Sequence, residues 1–281
     1  MRYILIILFT IFSLASNLEV IESFDNSKIH PNINYANQNK QKIEIKKLTP
    51  QKRKIYKNSQ KKRLKSNKRA KLVIIIDDIS HKYQINYIKS LPFKVTPSIF
   101  PPSRMNMKSY LLARGLKHYM VHLPLQSDSK AMNRMHKTLF VSDSNKKIRA
   151  RVAQIKRLFP NVRFINNHTG SIFSQNYTKS KVLYKALLDN NITFLDSRTT
   201  QKTKFKKIAK EFNRRYYKND HFIDNKLSTY AILKEIKKGI ALAKKRGYAV
   251  IIGHPHKQTF KALKLAQKYL KNVDVVYIDE L

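Results

Sequence analysis

The run Leu72-Val73-Ile74-Ile75-Ile76, closing on Asp77-Asp78, constrains the fold more than any other stretch. Five consecutive apolar residues, four of them β-branched, read as a strand buried on both faces. Parallel α/β sheets carry their chemistry at the carboxyl ends of such strands. Neighbouring side chains on an extended strand point opposite ways. One acid can therefore reach a metal while the other faces a different part of a site. The plainer role for either is to cap the helix that follows.

Downstream the texture repeats, with apolar runs each followed by a longer amphipathic segment. Residues 95–100, 118–123, 162–165, 192–195, 248–252 and 273–276 read as strands, with a weaker strand region at 216–223. Helices are expected over 105–113, capped by Gly115, over 148–159, stopped by Pro160, and over 179–189, 204–212 and 259–270. Ser228 opens a long helix ending near Gly247. Residues 127–145 read as a loop or insertion. Strand and helix alternate seven or eight times over residues 71–281, the pattern of a parallel sheet with helical crossovers. The best match is an α/β fold, a (β/α) barrel of about seven strands, either closed or incompletely closed. A doubly wound open sheet is the alternative.

Met1-Arg2 precedes a dense apolar stretch ending at Ser13-Leu14-Ala15, the order of a secretory signal peptide. It is shorter than the ~20 residues of a membrane span. Residues 1–17 are expected to be a signal peptide or an amino-terminal anchor. Residues 18–70 lack a sustained period and read as a basic, mostly disordered linker. The domain with the chemistry is 71–281. The chain is expected to be exported, periplasmic or held on the outer side of the inner membrane.

The net charge of +41 favours an anionic partner. Residues 1–70 contribute +12 and residues 71–281 contribute +29, so the excess is not one arm. Residues 51–70 hold ten Lys/Arg and no acid, a segment suited to anionic membrane or wall polymer. An export signal argues against nucleic acid. Without cysteine there is neither a disulfide nor a thiolate metal site. No nucleophile elbow, P-loop or dinucleotide fingerprint occurs.

Polar placement is more informative. Asp77-Asp78, His122, His168, Asp196 with Arg198, and His254 all fall at or just past the carboxyl end of an expected strand. In a barrel these ends converge on one rim. One Asp with two imidazoles is an open ligand set for a catalytic divalent metal, leaving room for a water. Such a site suits amide or ester hydrolysis. Each residue also has a structural reading: a core histidine, a loop histidine, an ion pair. His118 and His256 carry no assigned role.

Taken in order, Ile75-Ile76-Asp77-Asp78, His122-Leu123-Pro124-Leu125, Asn167-His168-Thr169-Gly170-Ser171, Phe194-Leu195-Asp196-Ser197-Arg198 and Ile252-Gly253-His254-Pro255 resemble the divergent polysaccharide deacetylase family. The resemblance covers residues 71–281. It implies a deacetylase barrel, with Asp77 as general base, Asp78 as metal ligand and His254 as general acid. The ordinary polysaccharide deacetylases supply a second histidine four residues after the first. Gln126 stands there in this chain, and His168 is the candidate replacement. The implied ligands are thus Asp78, His122 and His168, around Zn²⁺ or a similar divalent ion. Asp196 and Arg198 would orient these groups or bind substrate, and Asn167 and Ser171 would line the cleft. The implied substrate is a polysaccharide or peptidoglycan-like glycan bearing N-acetyl groups. The alternative is a glycan-binding envelope protein without catalysis.

Overall fold

The computed structural model describes residues 49–51, 54 and 69–281. The expected leader and nearly all of the expected linker lie outside the described residues. Arg69–Leu281 forms a compact unit of its own. Among the described residues no helix is long and apolar enough to cross a membrane.

Unit Arg69–Leu281 is a curled parallel sheet wrapped by helices. Its strands are β1 (Lys71–Ile79), β2 (Thr96–Ile99), β3 (Met120–Leu125), β4 (Phe164–Thr169), β5 (Thr193–Asp196), β6 (Tyr217–Lys218), β7 (His221–Phe222), β8 (Tyr248–Gly253) and β9 (Asp274–Val276). Their order is β6-β5-β4-β3-β2-β1-β8-β7. The helices are α1 (Lys82–Lys89), α2 (Lys130–Met135), α3 (Asn145–Leu158), α4 (Tyr177–Asp189), α5 (Phe205–Glu211), α6 (Thr229–Arg246) and α7 (Lys257–Leu270). Strand β1 pairs with β8 along one edge. Its other edge takes β9 over Lys71–Val73, then β2 from Ile75 onward.

The outermost strands, β6 and β7, follow each other in the chain but do not pair. Asn219 N donates to Asp196 O (2.8 Å) and Asp220 N to Val250 O (2.9 Å), so a two-residue link bridges the gap. Of the two alternatives, closed or incompletely closed, the barrel is the second. Nine strands stand where about seven were expected because the weaker strand region at 216–223 divides into two short strands, β6 and β7, while β9 is the strand expected at 273–276.

Alternation along the strands sorts the core into two layers. Leu72, Ile74 and Ile76 join the cluster between sheet and helices. Val73 and Ile75 turn inward with Met120, Phe164, Leu195, Val250 and Ile252. Ile278, from a 3₁₀ turn at Ile278–Glu280, fills the same interior. Gly239 on α6 permits close packing on β8: a Cβ there would lie 2.6 Å from Ile251 Cγ2.

Several local expectations need correction. Residues 82–89, left without an element, form α1, which buries Gln84, Ile85 and Ile88. The expected helix at 105–113 is only a 3₁₀ turn, Ser109–Ala113. The 127–145 loop contains α2, a helix with no buried residue. Pro124 does not stop β3, which runs on to Leu125. The Pro124 carbonyl accepts from Leu139 N (3.0 Å) on the edge away from β4, so its nitrogen also faces that edge and the β3–β4 ladder loses no bond. Ser228 does precede α6, but its side chain makes no capping bond.

Candidate metal centre

Asp77 continues the inward series of Val73 and Ile75 and is almost fully buried. Asp78 should then point outward. It does not, because the β1–β2 register slips between Ile76 and Ile79 and Asp78 takes a left-handed backbone (φ 57°). Aspartate tolerates that conformation better than most side chains. The bulge therefore brings both carboxylates inside, to different partners.

Asp78 Oδ1 lies 3.2 Å from His122 Nε2 and 3.1 Å from His168 Nδ1. Both histidines are in phase with inward residues, His122 with Met120 and His168 with Phe164. Donors about 2.1 Å from a tetrahedral cation lie about 3.4 Å apart, close to these separations. One ligand atom from each of Asp78, His122 and His168 lies within 4.8 Å of the others. His168 Nε2 is buried without a partner among the described residues. The donor set, two imidazoles and a carboxylate, fits a divalent cation with a position left for water.

Asn166 holds this site together. Its carbonyl oxygen accepts from Ser98 Oγ (2.6 Å) and His122 Nδ1 (2.9 Å). Its amide donates to both oxygens of Asp77 (2.9 Å each) and to Ser197 Oγ (3.1 Å). With the proton on Nδ1, His122 keeps the Nε2 lone pair free for a metal. Burial pushes the Asp77 carboxyl above its usual range, outweighing His122 and His254. Burial also opposes ionisation of Asp78, but hydrogen bonds from His122 and His168 hold it well below the carboxylate range. Burial opposes charging His122, yet Asp77 and Asp78 lift it above the ordinary imidazole value.

His254 continues the inward series of Val250 and Ile252 on β8. Asp224 accepts from its backbone N (2.5 Å) and from Thr259 Oγ1 (3.0 Å), and pairs with its Nδ1 (3.0 Å). Burial works against charging His254, but Asp224, then Asp78 and Asp77, raise its pKa to about 9.

The other expected residues stand elsewhere. Asn167 points away from the interior and pins β4 to β5, accepting from Ser197 N (2.9 Å) and donating to Thr169 O (2.5 Å). Ser171 bonds Asp128 (3.1 Å) on an exposed turn. Asp196, beside inward Leu195, accepts from Arg198 N, Thr203 Oγ1 and Tyr216 Oη. Arg198 reaches Gln201. None of these four bonds Asp78, His122 or His168 among the described residues. Asn166, Asp224 and His136 are the site residues that sequence reasoning missed. His136 follows α2 and stacks on Phe100 (4.0 Å), whose ring also lies against His168 (4.9 Å) and His122 (5.2 Å). Burial and the neighbouring His168 lower its pKa to about 4. His118 sits away from the cluster, paired with Asp279 (2.9 Å).

Residues 74–281 match the divergent polysaccharide deacetylase family. An uncharacterized protein of Haemophilus influenzae is 29% identical over 204 residues, 72% of each chain. The uncharacterized protein YibQ of Escherichia coli is 27% identical over 199 residues, 69% of this chain and 61% of that relative. A crystal structure of an uncharacterized protein from Agrobacterium tumefaciens shares the fold, with TM-score 0.66 at 16% identity, covering 76% of this chain and 89% of that one. The chain belongs to the divergent polysaccharide deacetylase family.

Proposed function

We propose that this protein is a metal-dependent hydrolase that removes acetyl groups from N-acetylated sugars of an envelope polysaccharide. The observation that carries the reading is the single Asp78 oxygen held 3.1–3.2 Å from two imidazoles at the carboxyl end of the barrel. Asp78, His122 and His168 would hold the ion, and two nitrogens with one oxygen favour Zn²⁺. The bound ion supplies an acidified water and a polarised acetyl carbonyl.

This chain's residues do the rest. Asp77, next to that position, takes the proton as water adds to the carbonyl carbon. Asn166 donates to both Asp77 oxygens and fixes the carboxylate in place. His254, charged through neutral pH and oriented by Asp224, gives a proton to the sugar nitrogen as the C–N bond breaks. Acetate and a free amine result. The leader-like amino terminus supports a site of action outside the cytoplasm. Residues 51–70 would add contact with anionic envelope material.

Acetate release from chitooligosaccharide and from peptidoglycan, with and without chelator, tests the reading. Release that chelator stops and Zn²⁺ restores is expected. Glycan binding with no release from either substrate would support the non-catalytic alternative instead.

A further inference from the structure

Two short segments meet beside the metal centre, residues 101–108 and the stretch from α2 to Lys137. They join where His136 Nδ1 approaches Ser103 Oγ (3.4 Å) and where His136 stacks on Phe100. Met105, Met107, Met132 and Met135 lie on them, exposed by 62, 69, 41 and 44%. The one other described methionine, Met120, is fully buried. Exposed apolar side chains gathered in one place mark a contact surface more often than scattered ones do.

Charge on the same segments has one sign. Arg104, Lys108, Lys130, Arg134 and Lys137 are exposed. None of the five forms an ion pair among the described residues. The acid just before α2, Asp128, is bonded to Ser171. Flexible thioethers interleaved with free cations suit a surface that is anionic outside and apolar beneath. Nucleic acid or a soluble anionic polymer would engage the cations and leave the methionines in water.

We propose that this rim docks on an anionic lipid bilayer. The methionines enter the acyl boundary, and the cations meet the headgroups. The mouth of the metal centre then faces the membrane. If the deacetylase reading holds, the substrate is a glycan carried on a lipid or held at the bilayer surface; the docking itself does not depend on that reading.

The chain has no tryptophan, so one introduced indole reports its own surroundings. The full chain with Met132→Trp is mixed with phosphatidylglycerol–phosphatidylcholine vesicles, and with vesicles of phosphatidylcholine alone. Leu265→Trp, exposed on α7, is the control. Expected are a blue shift and quenching by brominated acyl chains for Met132→Trp in the anionic vesicles only, and neither for Leu265→Trp. Adding Met105→Ser, Met107→Ser and Met135→Ser should weaken vesicle binding about tenfold. Equal quenching of both reporters, bound vesicles without quenching, or no binding at all would each overturn the docking. So would an equal shift produced by a soluble polyanion. Quenching in a protein that releases no acetate supports the docking and removes only its consequence for the substrate.

Discussion

The amide nitrogen of Asn166 lies 2.9 Å from each carboxylate oxygen of Asp77, while its carbonyl oxygen fixes the tautomer of His122. One neutral side chain thus serves the expected base and an expected metal ligand together. Asn166→Asp keeps the shape but sets a second carboxylate against Asp77. One of the two must then take up a proton. Acetate release should fall about 100-fold, and metal affinity by about 10-fold. Rate and metal content measured side by side check this; an undiminished rate would remove Asp77 from its role.

His168→Ala removes an expected ligand, whose Nε2 is buried without a partner among the described residues, and leaves Asp78 with one imidazole. Competition with a chromogenic chelator should show a loss of Zn²⁺ affinity of about 100-fold or more. Ser171→Ala, on the exposed turn, should bind as the parent does. A His168→Ala protein that stays fully loaded would refute the ligand set.

His254 titrates at about 9, above its ordinary 6.5, because Asp224 and the site acids outweigh burial. The rate should therefore hold through neutral pH and decline as pH rises through about 9. Asp224→Asn should move that limb toward about 6.5. A pKa raised in the folded state stabilises the fold fully below the unfolded value, and the gain is lost as pH rises through the folded value. Urea midpoints should thus fall between about pH 6.5 and about pH 9, less so in Asp224→Asn. An alkaline limb unmoved by Asp224→Asn would separate it from His254.

Gly239→Ala places a methyl 2.6 Å from Ile251 Cγ2. A loss of about 1–3 kcal/mol is expected from denaturant unfolding, partly recovered by Ile251→Val. Gly115→Ala meets no atom within 4 Å, but its φ of 73° alone should cost about 1 kcal/mol. If the two losses were equal, the close approach of α6 to β8 would not explain the first.

Strand ends made most of the site readable. Asp77, His122, His168 and His254 each fall at or just past the end of an expected strand, and each keeps the inward phase of the residue two before it. Asn166 carried the same signal, two positions before His168 on the same strand. It went unread because asparagine advertises no chemistry of its own. Asn167 and Asp196 were chosen by kind, yet each stands one position out of phase, and its partners lie outside the barrel. Asp78 breaks the rule in the other direction, through a bulge that no pattern of side chains announces. His136 lies in a stretch without periodicity; only the stack on Phe100 places it. Helix α1 did offer a signal, Gln84, Ile85 and Ile88 at helical spacing, in a segment short enough to pass for a turn.

Ile278 and its short turn sit at the amino-terminal end of the barrel, where Ile278 N donates to Thr96 Oγ1 and the side chain joins the apolar interior layer. The carboxylates and imidazoles gather at the opposite end of the strands. On the proposed reading, whatever covers that polar mouth during a turnover would also time the departure of the product.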